Sequence, residues 1–560
     1  MAPTTTDPQS EIKRLAGRLV IGRLPGLVLD ERHRAALREG TLGGITLFKE
    51  NAEALSQLIK LTGEIIEASF HPPVLTVDQE GGAVQRFENV LSSLPSPMAL
   101  AALNEPYTTA EVTSISARQL KTLGFNMLLA PTLDLQTNPR NPIICTRAYG
   151  DNADSVTAIG AQVAAAIEAE GLVAVGKHFP GHGATVEDSH LELACVDKSR
   201  SELRATDLQP FANLAEKLRA ILIGHIWLPQ IMGEKCPATL SHVVIVEILR
   251  RELNFQGLVV SDDMIMKAIT HGFGLGEACV QAILAGIDLL LVCGTFEQSR
   301  EAVEAIADAV ESGRLSRSRL EEAVGRLDLL INEKPEYLKS ENVAAVENFA
   351  AVIEKDAAFC RKTSARAVCV VQGKFEDQYV EAIKSAQTIV VVAPAHPRYP
   401  MDLAQALRIA LYRAKEKSDS STMQSEILEL RYPLNPGKMA IDELIAAAAH
   451  LRKNLNKKVP AMNQNVGILT IFLSYRSAIN SGQDLFSKKL AEVLTPAIHI
   501  ATDSPYDRAY LSGLSPYMLS LASLDPSDQA IFALADVLTG EIKPEGKSPV
   551  IIEAGQKLHS

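Results

Sequence analysis

SVTAIGAQVAAAIEAEGLVAVGKHFPGHG, residues 155–183, contains one complete structural unit of this chain. In its first half Val156, Ile159, Val163 and Ile167 recur at helical spacing and make one face apolar. Gly171 stands where such a helix needs a left-handed residue to stop. Ala174–Lys177 then reads as a short buried strand with Lys177 and His178 at its end. The same order of strand, polar strand end and amphipathic helix recurs through the N-terminal half. The strand candidates are Leu19–Ile21, Gly44–Phe48, Val74–Val77, Met127–Ala130, Ala174–Lys177, Ala220–Gly224, Leu258–Ser261 and Leu289–Val292. Eight such repeats predict an α/β fold of the (β/α)8 TIM-type barrel class, with an open doubly wound sheet as the alternative.

A barrel of this kind carries its chemistry on the loops that follow the strands. Polar groups collect there: Asp78-Gln79-Glu80 after the third strand, Asp134 to Arg147 after the fourth, Lys177-His178 after the fifth, His225 after the sixth and Asp262-Asp263 after the seventh.

The chain has 560 residues, enough for at least two domains. The pattern breaks around Asn332–Glu347, a charged, proline-containing stretch. This divides the chain into a barrel domain, 1–335, a linker, 336–365, and a smaller C-terminal α/β domain, 366–560. In the last, Ala367–Val371, Thr388–Val392, Val466–Phe472 and Ala497–Ala501 read as strands, and Met439–Leu455 and Leu485–Leu494 as helices. No titratable cluster comparable to that of the first domain is visible there, so it is assigned no chemistry.

With 55 basic and 67 acidic residues the net charge is −12, which argues against a general nucleic-acid or anionic-membrane binder. The polar N-terminus has no apolar signal core, and no apolar run approaches the length of a membrane span. Seven cysteines at scattered spacings, with no C-x-x-C pair, fit free thiols in a reducing cytoplasm.

The densest chemistry lies between Gly176 and His190, where three histidines, Lys177 and Asp188 fall within fifteen residues. His178 and His182 are four apart, as in helical zinc sites, but Pro180 and Gly181 between them oppose a helix, so a metal is not expected. An irregular loop whose Lys177 and His178 donate hydrogen bonds to substrate oxygens is the better reading. A structural ion pair and a satisfied core histidine are the alternative. In Asp188-Ser189-His190 the carboxylate can accept the Nδ1 proton and leave Nε2 to exchange protons with a substrate. Asp262 closes an apolar strand beside a second carboxylate. It is read as a nucleophile or proton acceptor, and Asp263 as a helix cap. Asp78 and Arg86 could together hold vicinal hydroxyls, or could form a structural pairing that includes Arg147.

These segments resemble glycoside hydrolase family 3, specifically its β-N-acetylglucosaminidase branch. The resemblance rests on V-D-Q-E-G-G-A-V-Q-R-F (77–87), A-P-T-L-D-L (130–135), N-P-I-I-C-T-R (141–147), K-H-F-P-G-H-G (177–183), D-S-H (188–190), P-A-T-L-S (237–241) and G-L-V-V-S-D-D-M (257–264). The tail 533–550 resembles the end of the family's C-terminal α/β sandwich. The resemblance implies an exo-acting, retaining double displacement on β-linked N-acetylglucosamine, in turnover of cell-wall muropeptide fragments. Asp262 would be the nucleophile, His190 the acid/base and Asp188 its partner. Asp78, Arg86, Arg147, Lys177 and His178 would hold the sugar. No metal or organic cofactor is implied, and the partner is a small carbohydrate substrate, an N-acetylglucosaminide, bound by a monomer or homodimer. Two departures stand out: Cys145-Thr146 where the family has Gly-Asp or Gly-Ser, and Ala83 where it often has Arg. A histidine acid/base in place of a carboxylate would also admit phosphate as attacking anion, which makes a phosphorylase the first alternative. A β-glucosidase or β-xylosidase is the second, a metal-dependent amidohydrolase the third, and a sugar-binding protein on an inactive barrel the non-enzymatic one.

Overall fold

The computed structural model describes residues 8–186, 193–270, 274–418, 425–458 and 467–552. The chain divides into two compact units. The first comprises residues up to Leu94, Pro106–Ile144 and Ala148–Ala357, and the second Pro95–Glu105, Cys145–Arg147 and the residues from Ala358 onward.

In the first unit eight parallel strands run β1 (Val20–Arg23), β2 (Gly44–Thr46), β3 (Val74–Val77), β4 (Met127–Leu128), β5 (Val173–Phe179), β6 (Ala220–Ile223), β7 (Leu258–Ser261) and β8 (Leu290–Leu291). They hydrogen-bond in the order β8-β1-β2-β3-β4-β5-β6-β7. The ring closes between β7 and β8, where Ser261 N donates to Leu289 O at 2.9 Å and Leu289 N to Val259 O at 3.1 Å. Each strand is buried along almost its whole length, as a sheet covered on both faces requires. Close approach of β2 and β3 depends on Gly44, whose added Cβ would lie 2.0 Å from the Val74 carbonyl oxygen.

The quoted stretch folds as its pattern predicts. A helix covers Ala153–Ala169, capped by the Asn152 side chain accepting from Ser155 N, and buries Val156, Ile159, Val163 and Ile167. Gly171 then adopts φ +86, the left-handed conformation that ends helices.

Most of the stretch assigned as a linker, 336–365, lies in one helix, Val343–Arg366. In this helix Glu347, Glu354, Lys355 and Lys362 are exposed, while Phe349, Asp356, Cys360 and Ala365 are buried. Gln119 donates to its Asp356 at 2.9 Å, and Ser92 to its Ile353 carbonyl at 2.9 Å.

The second unit is built on a six-stranded sheet of β9 (Cys369–Gln372), β10 (Thr388–Ala395), β11 (Glu426–Pro433), β12 (Ile468–Ser474), β13 (Ile498–Ala501) and β14 (Leu519–Ala522). The order is β9-β14-β13-β12-β10-β11, parallel except for the β9/β14 pair. Alternate residues of β10 go to two apolar clusters, Ile389 and Val391 to one, Val390 and Val392 to the other, so both faces of the sheet are covered. The expectation that this domain lacks a titratable cluster is corrected. Fully buried Ser474 donates to Asp507 at 2.7 Å and meets His499 Nε2 at 2.9 Å, and His499 Nδ1 meets Ser520 Oγ at 2.6 Å. Burial pushes Asp507 up to about 7 and His499 down to about 3. These groups are fully buried, and the cluster reads as packing chemistry.

Candidate active site

The β3 strand end builds the first half of the site. Gly81 and Gly82 take positive φ, and Glu80 N donates back to Val84 O at 2.8 Å, so the chain reverses. Gln79 Oε1 holds the reversal by accepting the amides of Arg86 at 2.7 Å and Phe87 at 3.4 Å. Arg86 Nη2 thereby comes within 3.4 Å of Asp78 Oδ2. From the end of β5, Lys177 Nζ reaches Asp78 Oδ1 at 2.7 Å and Glu80 Oε1 at 2.5 Å. Two carboxylates and two cations thus neutralise one another. Asp78 and Arg86 remain partly exposed, with side chains about one-fifth accessible, while Lys177 and Glu80 are buried. Polar groups that stay reachable at the end of an otherwise buried strand can exchange partners with sugar hydroxyls.

His178 follows directly. The Lys177–His178 and Phe179–Pro180 peptides are cis. His178 Nδ1 lies 2.7 Å from Asp134 Oδ2, a carboxylate with no accessible surface. The other oxygen of Asp134 accepts His182 N at 2.6 Å. Burial raises the Asp134 carboxyl, but the His178 and His182 rings and these donors outweigh it and hold it below its ordinary value. His182 Nδ1 is taken up by Thr185 Oγ1 at 2.8 Å. Among the described residues no group of three or more His, Cys, Asp or Glu side chains could hold a metal ion.

Asp262 continues β7, its amide donating to Ile223 O at 3.0 Å and its Oδ1 accepting Asp263 N at 2.8 Å. Burial and the Asp78 charge raise its carboxyl. The nearby His225 and His178 rings and the Asp263 amide lower it more, leaving it below its ordinary value. It is therefore anionic at neutral pH. Asp263 goes the other way: burial pushes it up to about 6, while its Oδ1 accepts the amides of Ile265 and Cys293 at 3.2 and 2.9 Å. Two adjacent carboxylates are separated by environment, one ionised and one bound into the turn. His225 supports this turn from β6. Its Nε2 faces the Asp263 carbonyl at 3.0 Å and so carries a proton, and its Nδ1 lies 2.6 Å from Thr239 Oγ1.

Of the residues expected from sequence, Asp78, Arg86, Lys177, His178 and Asp262 lie on the β3, β5 and β7 ends of one barrel. Arg147 falls in the turn Cys145–Arg147 of the second unit, where Thr146 Oγ1 donates to Asp503 Oδ1 at 2.8 Å. Asp188 and His190 lie outside the described residues. Sequence reasoning gave no role to Glu80 or Thr239 and none to Asp134 beyond its place in a strand-end loop. Glu80 and Thr239 stand inside the motifs 77–87 and 237–241, but their partners are residues 177 and 225, far off in the chain.

Eight parallel strands with these groups at their C-terminal ends define a barrel enzyme site. The model of the glycosyl hydrolase family 3 N-terminal domain matches residues 18–330, and the chain belongs to that family. Its relatives include several β-hexosaminidases. β-Hexosaminidase A of Pseudoalteromonas piscicida is 28% identical over 553 residues, covering 91% of this chain and 89% of that protein. The β-hexosaminidase of Alkalilimnicola ehrlichii is 37% identical over 288 residues, half of this chain and 81% of the relative. A solved family 3 β-N-acetylglucosaminidase from Paenibacillus superposes with a TM-score of 0.78 at 28% identity, covering 97% of this chain and 99% of that one.

Proposed function

We propose that the chain is a retaining, exo-acting β-N-acetylglucosaminidase that releases terminal β-linked N-acetylglucosamine from cell-wall muropeptide fragments in the cytoplasm. The observation that carries the reading is the state of Asp262, an ionised carboxylate at a barrel strand end beside the His225 and His178 rings and the cation-neutralised Asp78. The names of its relatives support the sugar.

In this reading Asp262 attacks the anomeric carbon and forms a covalent glycosyl-enzyme. Asp78, Arg86, Lys177 and His178 hold the hydroxyls of the same ring. His190, its tautomer set by Asp188, protonates the departing oxygen and then takes a proton from the incoming water. A histidine serves here because its proton affinity already lies near neutral pH.

The test separates the two roles. Asp262→Asn abolishes turnover of every N-acetylglucosaminide, whereas His190→Gly spares glycosylation by aryl glycosides with good leaving groups. Loss of general acid catalysis, about 10²- to 10⁴-fold, appears only with poor leaving groups. Equal loss in both variants on an activated aryl N-acetylglucosaminide refutes the assignment. Higher kcat/KM on the matching aryl glucoside refutes the substrate.

A further inference from the structure

We infer that Asp134, a wholly buried carboxylate, is the positioning residue that sets the working tautomer of His178. The inference rests on the sugar-holding role proposed for His178.

Three N–H groups converge on this one carboxylate. Oδ2 takes the His178 ring at 2.7 Å and the His178 amide at 3.3 Å, and Oδ1 takes the His182 amide at 2.6 Å. Asp134 has no solvent to share the load, since its side chain is wholly buried. An ionised carboxylate only accepts, so the facing ring nitrogen, Nδ1, must carry the proton. The contact therefore fixes the ring plane and makes Nε2 the nitrogen turned away from Asp134.

The same carboxylate ties down the turn beyond. Gly181 N donates to His178 O at 2.7 Å, Asn141 Nδ2 donates to His182 O at 2.8 Å, and Asp134 supplies the third tie through His182 N. Ring orientation and turn geometry therefore depend on one acceptor pair.

No neutral isostere can replace it. In an asparagine one arm becomes an NH2 donor. Turned toward His182 it opposes an N–H, and turned toward His178 it opposes two. The carboxylate is required for its two accepting edges as well as for its charge.

The experiment is Asp134→Asn, alone and combined with His178→Gln, assayed on an activated aryl N-acetylglucosaminide. We expect KM to rise about 10- to 100-fold, the weight of one charge-assisted hydrogen bond lost from the sugar grip. We expect kcat to change less than about threefold on the same scale. In the His178→Gln background Asp134→Asn should add little, because both act through one ring. Additive KM effects, or a loss confined to kcat, overturn the inference. A measurement on the unsubstituted enzyme covers the case in which Asp134→Asn does not fold. In ¹⁵N-histidine spectra, with the His178 signal identified by its loss in His178→Gln, Nδ1 should be protonated. A bare Nδ1 overturns the inference while leaving the glycosidase reading intact; a failed Asp262→Asn test does the reverse.

Discussion

Replacing Lys177 with methionine keeps the apolar stem and deletes the ammonium that two carboxylates share. The substitution removes the Nζ contacts to Glu80 at 2.5 Å and to Asp78 at 2.7 Å; Glu80 has 1% of its side chain accessible and Asp78 21%. Removing one partner of a buried pair typically destabilises by about 3–5 kcal/mol, because the surviving charge keeps its desolvation penalty. Asp78 can recover hydration and Glu80 cannot, so Glu80 accounts for most of the loss. Lys177→Met should therefore lower barrel stability by about 3–5 kcal/mol at pH 7, and adding Glu80→Gln should return more than half of it. The chain has a single tryptophan, Trp227, whose indole donates to Glu234 O at 2.9 Å within the barrel unit. Urea unfolding followed by its fluorescence reads that unit. Sugar binding should fall in both variants, since both lack the ammonium. A Lys177→Met transition within about 1 kcal/mol of wild type, well under the loss expected for a buried pair, refutes the burial argument. No recovery with Glu80→Gln refutes the assignment to Glu80.

Two further outcomes follow from features away from the sugar grip. Folded Asp507 titrates near 7 against an ordinary 3.8, so the folded state binds its proton more tightly and loses stability as pH rises from about 4 to about 7. Asp507→Asn removes that term; its stability advantage over wild type should grow across this window by up to a few kcal/mol and then stay constant. His499, pushed down to about 3, works in the opposite sense in both proteins, so the difference between their pH-stability curves isolates Asp507, and a pH-independent difference contradicts the reading. Gly183→Ala would set a Cβ 1.7 Å from the Leu135 carbonyl oxygen, one residue past Asp134. The backbone must move, and kcat/KM should drop by at least about tenfold with a stability loss of about 1–3 kcal/mol; wild-type kinetics would show that the turn tolerates the shift.

The barrel was legible because a buried parallel strand writes itself as an apolar run. All eight expected runs carry strands, two with the expected ends and the rest with ends displaced by at most two residues. In the second unit Glu426–Pro433 and Leu519–Ala522 escaped detection. The first alternates buried and exposed positions among charged residues, and the second has only four residues. Site residues that lie close together in sequence, such as Lys177 with His178 and Asp78 with Arg86, were readable. Asp134 stands inside the motif 130–135, but its role was not readable, because its partners lie 44 and 48 positions away. The buried Ser474–His499–Asp507 chain was missed for the same reason, its members being brought together only by strand pairing.

The discontinuous make-up of the second unit has a consequence for synthesis. Ser96 donates its hydroxyl to the carbonyl of Leu524, 428 positions later in the chain. At ribosomal rates of about 5–20 residues per second that partner arrives roughly 20–90 s afterwards. Throughout that interval the segment Pro95–Glu105, with Met98, Ala99 and Ala102 buried in the finished protein against Ala501, Ala522 and Leu524, waits with its apolar face bare. A nascent chain in that state is a substrate for holding chaperones, and a stop codon placed after residue 357 would make the exposure permanent.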